Sequence, residues 1–123
     1  MAKIMIVDDE AYIQVLYQKE FESDGYIVKT VSNAKEALSS AEEFSPDIII
    51  LDIELGDING LELLKQFRER QANCSIILNS AYSTYKSDFQ SWLADAYLMK
   101  SSDLNPLKAK VKELLTEDAC GTK

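Results

Sequence analysis

The chain has 123 residues, 46% of them apolar, which is enough for one hydrophobic core without disulfide or metal staples. Its 21 acidic and 13 basic residues give a net charge of −8, so a polyanion such as DNA is repelled overall, and no Lys/Arg cluster interleaved with aromatics offsets that. The absence of histidine excludes Ser-His-Asp and Cys-His catalysis and most zinc sites, and no apolar run approaches the roughly 20 residues of a membrane span.

Ile4-Met5-Ile6-Val7 is the first of five short apolar runs, and nothing before it has the make-up of a signal peptide. Cys74 and Cys120 belong to no CxxC pair, so both are expected to be reduced thiols in a cytoplasmic protein. Isoleucine-rich runs of this length that end in polar residues suit strands buried on both faces. The first run ends in Asp8-Asp9-Glu10. Ile13, Leu16, Tyr17 and Phe21 then fall at i, i+3, i+4 and i+8, one face of a helix that Gly25 stops. Ile27-Val28 with Val31 forms the second strand and ends in Ser32-Asn33; Asn33 caps a helix striped by Ala34, Ala37, Leu38 and Ala41. Ile48-Ile49-Ile50-Leu51 runs into Asp52. Asn59, with Glu62 three residues on, opens a helix carrying Leu61, Leu64 and Phe67.

The fourth run, Ile76-Ile77-Leu78, ends in Asn79-Ser80-Ala81 and leads to a weaker, Ser/Thr-rich helix over 82–93 anchored by Phe89 and Trp92. Ala96-Tyr97-Leu98-Met99 ends in Lys100. The last helix has the clearest stripe, Leu104, Leu107, Val111, Leu114 and Leu115, with Ser102 or Asp103 as its cap and Pro106 near its first turn. Strict strand-helix alternation predicts an α/β domain with a parallel sheet and right-handed crossovers. The expected architecture is a flavodoxin-like (βα)5 three-layer sandwich with five strands in the order 2-1-3-4-5. Residues 1–119 form one domain and 120–123 a flexible tail.

In an open parallel sheet, chemistry gathers beyond the carboxyl ends of the strands, where the strand order reverses. In the order 2-1-3-4-5 the first and third strands are neighbours, so Asp8, Asp9 and Asp52 converge. Each close pair of carboxylates near a surface repels by a few kcal/mol, so either one stays protonated or a cation is bound. Magnesium suits such a cluster, because it takes octahedral oxygen ligands and keeps several waters. Lys100 adds a positive charge and Ser80 a hydroxyl donor. Together they make a place for a small dianionic group beside an aspartate, which is what phosphoryl transfer requires. Taken singly, each residue has a plainer role: Asp9 or Glu10 as a helix cap, Lys100 as a solvated lysine, Ser80 as a loop residue.

The segments Ile6-Val7-Asp8-Asp9-Glu10, Pro46-Asp47-Ile48-Ile49-Ile50-Leu51-Asp52, Asn59-Gly60-Leu61-Glu62-Leu63-Leu64 and Tyr97-Leu98-Met99-Lys100 resemble the receiver domains of two-component response regulators, over nearly the whole chain. The resemblance implies that Asp52 is the phosphoacceptor and that Asp8, Asp9, Asp52 and the backbone carbonyl of Glu54 hold Mg2+, with Mn2+ able to take the same ligands. It further implies that Ser80 and Lys100, with the amides of Ala81 and Ile53, bind phosphoryl oxygens. Ser80 and Tyr97 would be the switch pair that remodels the surface of the fourth helix, fifth strand and fifth helix. The implied partners are a sensor histidine kinase or histidine phosphotransfer protein upstream, and a downstream protein target or an effector domain. Direct nucleic-acid or membrane binding is not expected, and a dimer could form through that same surface. The domain would be a signalling phosphoacceptor, not an enzyme acting on other substrates.

Two departures from the family pattern stand out. Ser101 replaces the usual proline after the lysine, so the peptide is expected to be trans with Lys100 aimed differently, since a cis bond there costs about 3 kcal/mol. Gly56, followed by Asp57, replaces the usual proline four residues after the phosphoacceptor, which loosens that loop. By the resemblance, Glu54 and Tyr82 fall at the family positions that flank the route of the attacking water, so slow hydrolysis of the phosphoaspartate is expected.

Three other readings compete. A flavin- or nucleotide-binding module of the same fold would need a Ser/Thr/Gly-rich phosphate loop where this chain has three acids. A magnesium-dependent aspartyl phosphatase would carry its nucleophile in a DxD pattern after the first strand. A receiver-like interaction module that works without phosphorylation is the alternative that the missing prolines leave open.

Overall fold

The computed structural model describes residues 2–56, 58–70, 74–81 and 93–121. In chain order these form β1 (Lys3–Val7), α1 (Ala11–Ser23), β2 (Ile27–Val31), α2 (Ala34–Phe44), β3 (Ile48–Leu51), α3 (Gly60–Arg70), β4 (Ser75–Ser80), β5 (Ala96–Met99) and α4 (Asn105–Gly121). The weak helix expected over 82–93 lies outside the described residues except for Leu93, so the helix read from sequence as the fifth is α4 here. The last helix continues to Gly121.

All four strand pairings are parallel, and the order is β2-β1-β3-β4-β5 as expected. The central runs are apolar throughout because their alternate residues serve two cores. Met5, Val7, Ile49, Leu51, Ile76 and Leu78 pack on one face with Ala37 of α2 and Leu64 and Phe67 of α3. Ile4, Ile6, Ile48, Ile50 and Ile77 pack on the other with Tyr17 and Phe21 of α1 and Leu107 and Val111 of α4. Three layers result, with β1, β3 and β4 closed on both sides. β2 departs from the expectation of strands buried on both faces. It is an edge strand, paired only with β1, so its burial alternates and Ile27 is 44% exposed. β5, the other edge, is half-buried, with Met99 51% exposed.

The helix ends follow the sequence signals. Asn33 Oδ1 accepts the Glu36 N–H at 2.8 Å and Asn59 Oδ1 accepts that of Leu61 at 2.7 Å, capping α2 and α3. Gly25 follows α1 at φ +97°, a left-handed conformation that glycine adopts without a Cβ clash. Asp103 Oδ1 accepts the Asn105 N–H at 3.0 Å at the start of α4. By contrast α1 begins at Glu10 without a side-chain cap. Because all the strands are parallel, the chain leaves β1, β3, β4 and β5 at the same end of the sheet.

Candidate functional site

The parallel ladder runs one residue past β3: the Asp52 N–H donates to the Val7 carbonyl at 2.9 Å, which brings Asp52 level with Asp8 on the neighbouring strand. Both carboxylates are buried, Asp8 at 2% and Asp52 at 4% exposure, while Asp9 is exposed. Carboxylate oxygens of Asp8, Asp9 and Asp52 lie within 4.8 Å of one another, close enough to share one metal ion. The convergence read from the strand order is therefore present.

Lys100 reaches into this cluster from the end of β5. Its Nζ stands 2.8 Å from Asp8 Oδ2, 3.2 Å from Asp52 Oδ2 and 3.1 Å from Glu10 Oε1. The described residues contain no cis peptide, so the Lys100-Ser101 bond is trans. The ammonium nevertheless meets the carboxylates, because the Lys100 N–H donates to the Ser80 carbonyl at 2.7 Å and the flexible four-carbon stem covers the remaining distance.

One lysine cannot balance the acids around it. Burial and the neighbouring Asp8 charge push the Asp52 carboxyl up to about 6, despite the opposing pull of Lys100. Burial raises Asp8 as well, against the hydrogen bonds from Lys100 and the Glu10 N–H. For Lys100, burial disfavours the charge, but Asp8, Asp52 and Glu10 outweigh it and hold the ammonium above its ordinary range. An excess of hard oxygen donors with elevated proton affinity is a donor set that fits a divalent cation such as magnesium.

The remaining expected residues fall around this centre. Ser80 is fully buried at the end of β4, the strand beside β3. Exposed Ala81 follows it. The Ile53 carbonyl accepts N–H groups from Leu55 at 3.1 Å and Gly60 at 2.6 Å, which folds the β3–α3 loop back on itself. The Glu54 N–H donates to Asp52 Oδ1 at 3.2 Å, and Glu54 bridges to Asn59 across that loop. Tyr97 is half-buried on β5, opposite Leu78, against the core under α2 and α3. Asp57 and Tyr82 lie outside the described residues.

Two contributions were not assigned from sequence. Glu10, the third acid of the Asp8-Asp9-Glu10 run, gives up helix capping and engages Lys100. Gly60 starts α3 directly against the chain at Asp52: a Cβ there would run into the Asp52 carbonyl oxygen and would lie 2.6 Å from Ile53 Cα. The Asn59-Gly60 pair carried a signal for that close approach.

Residues 4–112 match the response regulator receiver domain, and the chain belongs to that family. It is 36% identical over 118 residues to the alkaline phosphatase synthesis transcriptional regulatory protein PhoP of Bacillus subtilis strain 168, covering 92% of this chain and 48% of that protein. The chain thus spans about half the length of the curated relatives it matches. Among solved structures it superposes on response regulator TrrA of Thermotoga maritima in complex with Mg(2+)-BeF, with a TM-score of 0.89, 43% identity, and coverage of 93% of this chain and 99% of that one. It also superposes on TrrA in complex with histidine kinase ThkA, with a TM-score of 0.88, 43% identity, and coverage of 94% and 99%. No described helix is long and apolar enough to cross a membrane.

Proposed function

We propose that residues 1–119 act as a phosphoacceptor domain that takes a phosphoryl group onto Asp52 from a phosphohistidine donor, or from a small acyl phosphate. The observation that carries this reading is the convergence of Asp8, Asp9 and Asp52, their carboxylate oxygens within 4.8 Å of one another, with Lys100 paired to Asp8 and Asp52. An Asp52 carboxylate oxygen attacks phosphorus; the new P–O bond forms as the P–N bond to the donor imidazole breaks, its electron pair stays on that nitrogen, and the ring, already protonated at its other nitrogen, leaves as neutral imidazole. Lys100 and the Ser80 hydroxyl, with the amides of Ala81 and Ile53, take the equatorial oxygens of the transferring group. Asp8, Asp9, Asp52 and the Glu54 carbonyl would hold Mg2+ or Mn2+, which would supply divalent charge to offset that of the phosphoryl group.

The domain catalyses its own phosphorylation and the slow hydrolysis of its phosphoaspartate, and acts on no other substrate. Ser80 and Tyr97 relay the change to the surface built from the expected helix over 82–93, β5 and α4, where a downstream protein, an effector domain or a second copy docks. The upstream partner is a histidine kinase or phosphotransfer protein, and the location is the cytoplasm. The relative seen with a histidine kinase supports the upstream partner.

Intact mass after incubation with acetyl phosphate and magnesium tests the reading. One added phosphoryl group on the wild type, missing from Asp52→Asn and from a sample with EDTA, is expected. An unmodified wild type would favour the phosphorylation-independent docking module.

A further inference from the structure

Two polar side chains, three residues apart on α1, tie this helix to the strand ends that carry the site. Gln14 Nε2 donates to the Asp8 carbonyl at 2.6 Å, the Val31 carbonyl at 3.2 Å and Ser32 Oγ at 2.9 Å, fastening α1 to the ends of β1 and β2. Tyr17 then reaches across the sheet, where its hydroxyl accepts a hydrogen bond from Asn79 Nδ2 at 2.8 Å. Both residues are buried, Tyr17 at 1% and Asn79 at 3% exposure, in a layer otherwise built from Ile4, Ile6, Ile50, Ile77, Leu107 and Val111.

A polar pair in this layer needs a reason, because burying an amide and a phenol costs desolvation that two apolar side chains avoid, and one neutral hydrogen bond returns little net stability. What the bond adds is direction. A cleft of about 170 Å³ borders Tyr17 and Asn79 on the side of Leu98 and Leu104, so close packing does not fix Asn79 from every side.

Asn79 also occupies a telling place. β3 and β4 align Leu51 with Leu78, which sets Asn79 beside Asp52 and Ser80 just beyond it. Asn79 pairs with Leu98 and Ser80 with Met99, and the next backbone contact joins Ser80 to Lys100. The Asn79 side chain leaves the strand toward α1, and that of Ser80 leaves it on the opposite face.

We propose that Tyr17 and Asn79 are positioning residues for phosphoryl transfer: their hydrogen bond clamps the carboxyl end of β4 to α1 and so sets where Ser80 stands relative to Asp52. Neither touches the reacting atoms. The inference rests on Asp52 being the phosphoacceptor. Its distinctive consequence is that removing both polar groups restores packing but not placement.

The test compares the full chain with Tyr17→Phe, Asn79→Leu and the double variant. Each is measured for thermal midpoint, for the maximal rate of phosphorylation by acetyl phosphate, and for half-saturating magnesium. The single variants, each with one orphaned buried polar group, are expected to melt lower. The double variant is expected to melt near the wild type, yet to phosphorylate about tenfold more slowly at saturating donor, with half-saturating magnesium within about twofold. In amide NMR spectra with magnesium and beryllofluoride, the Ser80 and Ala81 resonances should differ from wild type while those of Asp8 and Asp9 match it. A double variant phosphorylated at the wild-type rate overturns the proposal. If the double variant does not fold, Tyr17→Phe decides: its ring keeps the edge-on contact with Phe21, at 6.4 Å between centroids, and a wild-type rate in that variant overturns the proposal equally. An unphosphorylated wild type removes the Asp52 reading and the positioning role with it, whereas a normal wild type beside a normal double variant removes only the latter.

Discussion

Replacing Asp52 with asparagine should make the metal-free protein more stable at neutral pH. Asp52 is 4% exposed, and its carboxyl titrates at about 6 in the folded protein against 3.8 for the unperturbed side chain, through burial first and the Asp8 charge second. Because the folded-state value is the higher, the folded chain holds a proton that the unfolded chain has released between about pH 4 and 6. Stability therefore falls as pH rises through that window, and above it the full cost of ionising Asp52 is present. A shift of about two units, already net of the attraction to Lys100, corresponds to about 3 kcal/mol, less the cost of burying the asparagine amide, so a gain of about 1–3 kcal/mol is expected at pH 7.5. For a chain of this size that is a rise in melting temperature of about 4–12 °C. Thermal unfolding in EDTA at pH 7.5 and again at pH 4.5 measures it. The gap between variant and wild type should narrow at the lower pH. Magnesium should raise the midpoint of the wild type much more than that of the variant. A variant less stable than the wild type at pH 7.5, or a gap that ignores pH, would refute the electrostatic reasoning.

Lys100→Met should have the opposite effect, lowering stability at neutral pH by about 2–4 kcal/mol in urea unfolding, because it leaves Asp8 and Asp52 buried without their cation. Adding Asp8→Asn to that variant should recover part of the loss. Gly60→Ala should destabilise the domain by about 2 kcal/mol or more and slow phosphorylation, since the clash is with backbone at Asp52 and Ile53 and no side chain can yield to it; wild-type unfolding and phosphorylation in this variant would contradict the close approach. Glu54→Ala should speed decay of the phosphorylated protein severalfold if, as proposed, its negative charge flanks the path of the attacking water. Decay followed by intact mass checks this, and an unchanged or slower rate would count against it.

Much of this arrangement is legible in the sequence for physical reasons. Apolar runs such as Ile48-Ile49-Ile50-Leu51 read as strands because both of their faces are covered, and charge can sit only where such a run ends, which marks Asp8, Asp52 and Lys100 together. The same reading fails for β2, where Ile27-Val28 and Val31 look like the other strands although Ile27 is largely exposed; a short run does not announce that it lies at an edge. The aim of Lys100 is also hidden, because the Ser101 substitution bears on the backbone while the flexible stem decides where the ammonium goes. Tyr17 reads as one more member of an apolar stripe and Asn79 as a strand-end residue. They are 62 residues apart, and helical or strand periodicity carries no information about a hydrogen bond between them.

The most direct measurement is the location of the phosphoryl group. Borohydride treatment of the acetyl-phosphate-labelled protein reduces an acyl phosphate to an alcohol, so phosphorylated aspartate becomes homoserine, which peptide mass spectrometry locates. Homoserine at position 52, dependent on magnesium, is the predicted result. Homoserine at position 8 or 9, or an unreduced position 52 in protein that carries the added phosphoryl mass, would contradict the assignment of Asp52 as the phosphoacceptor.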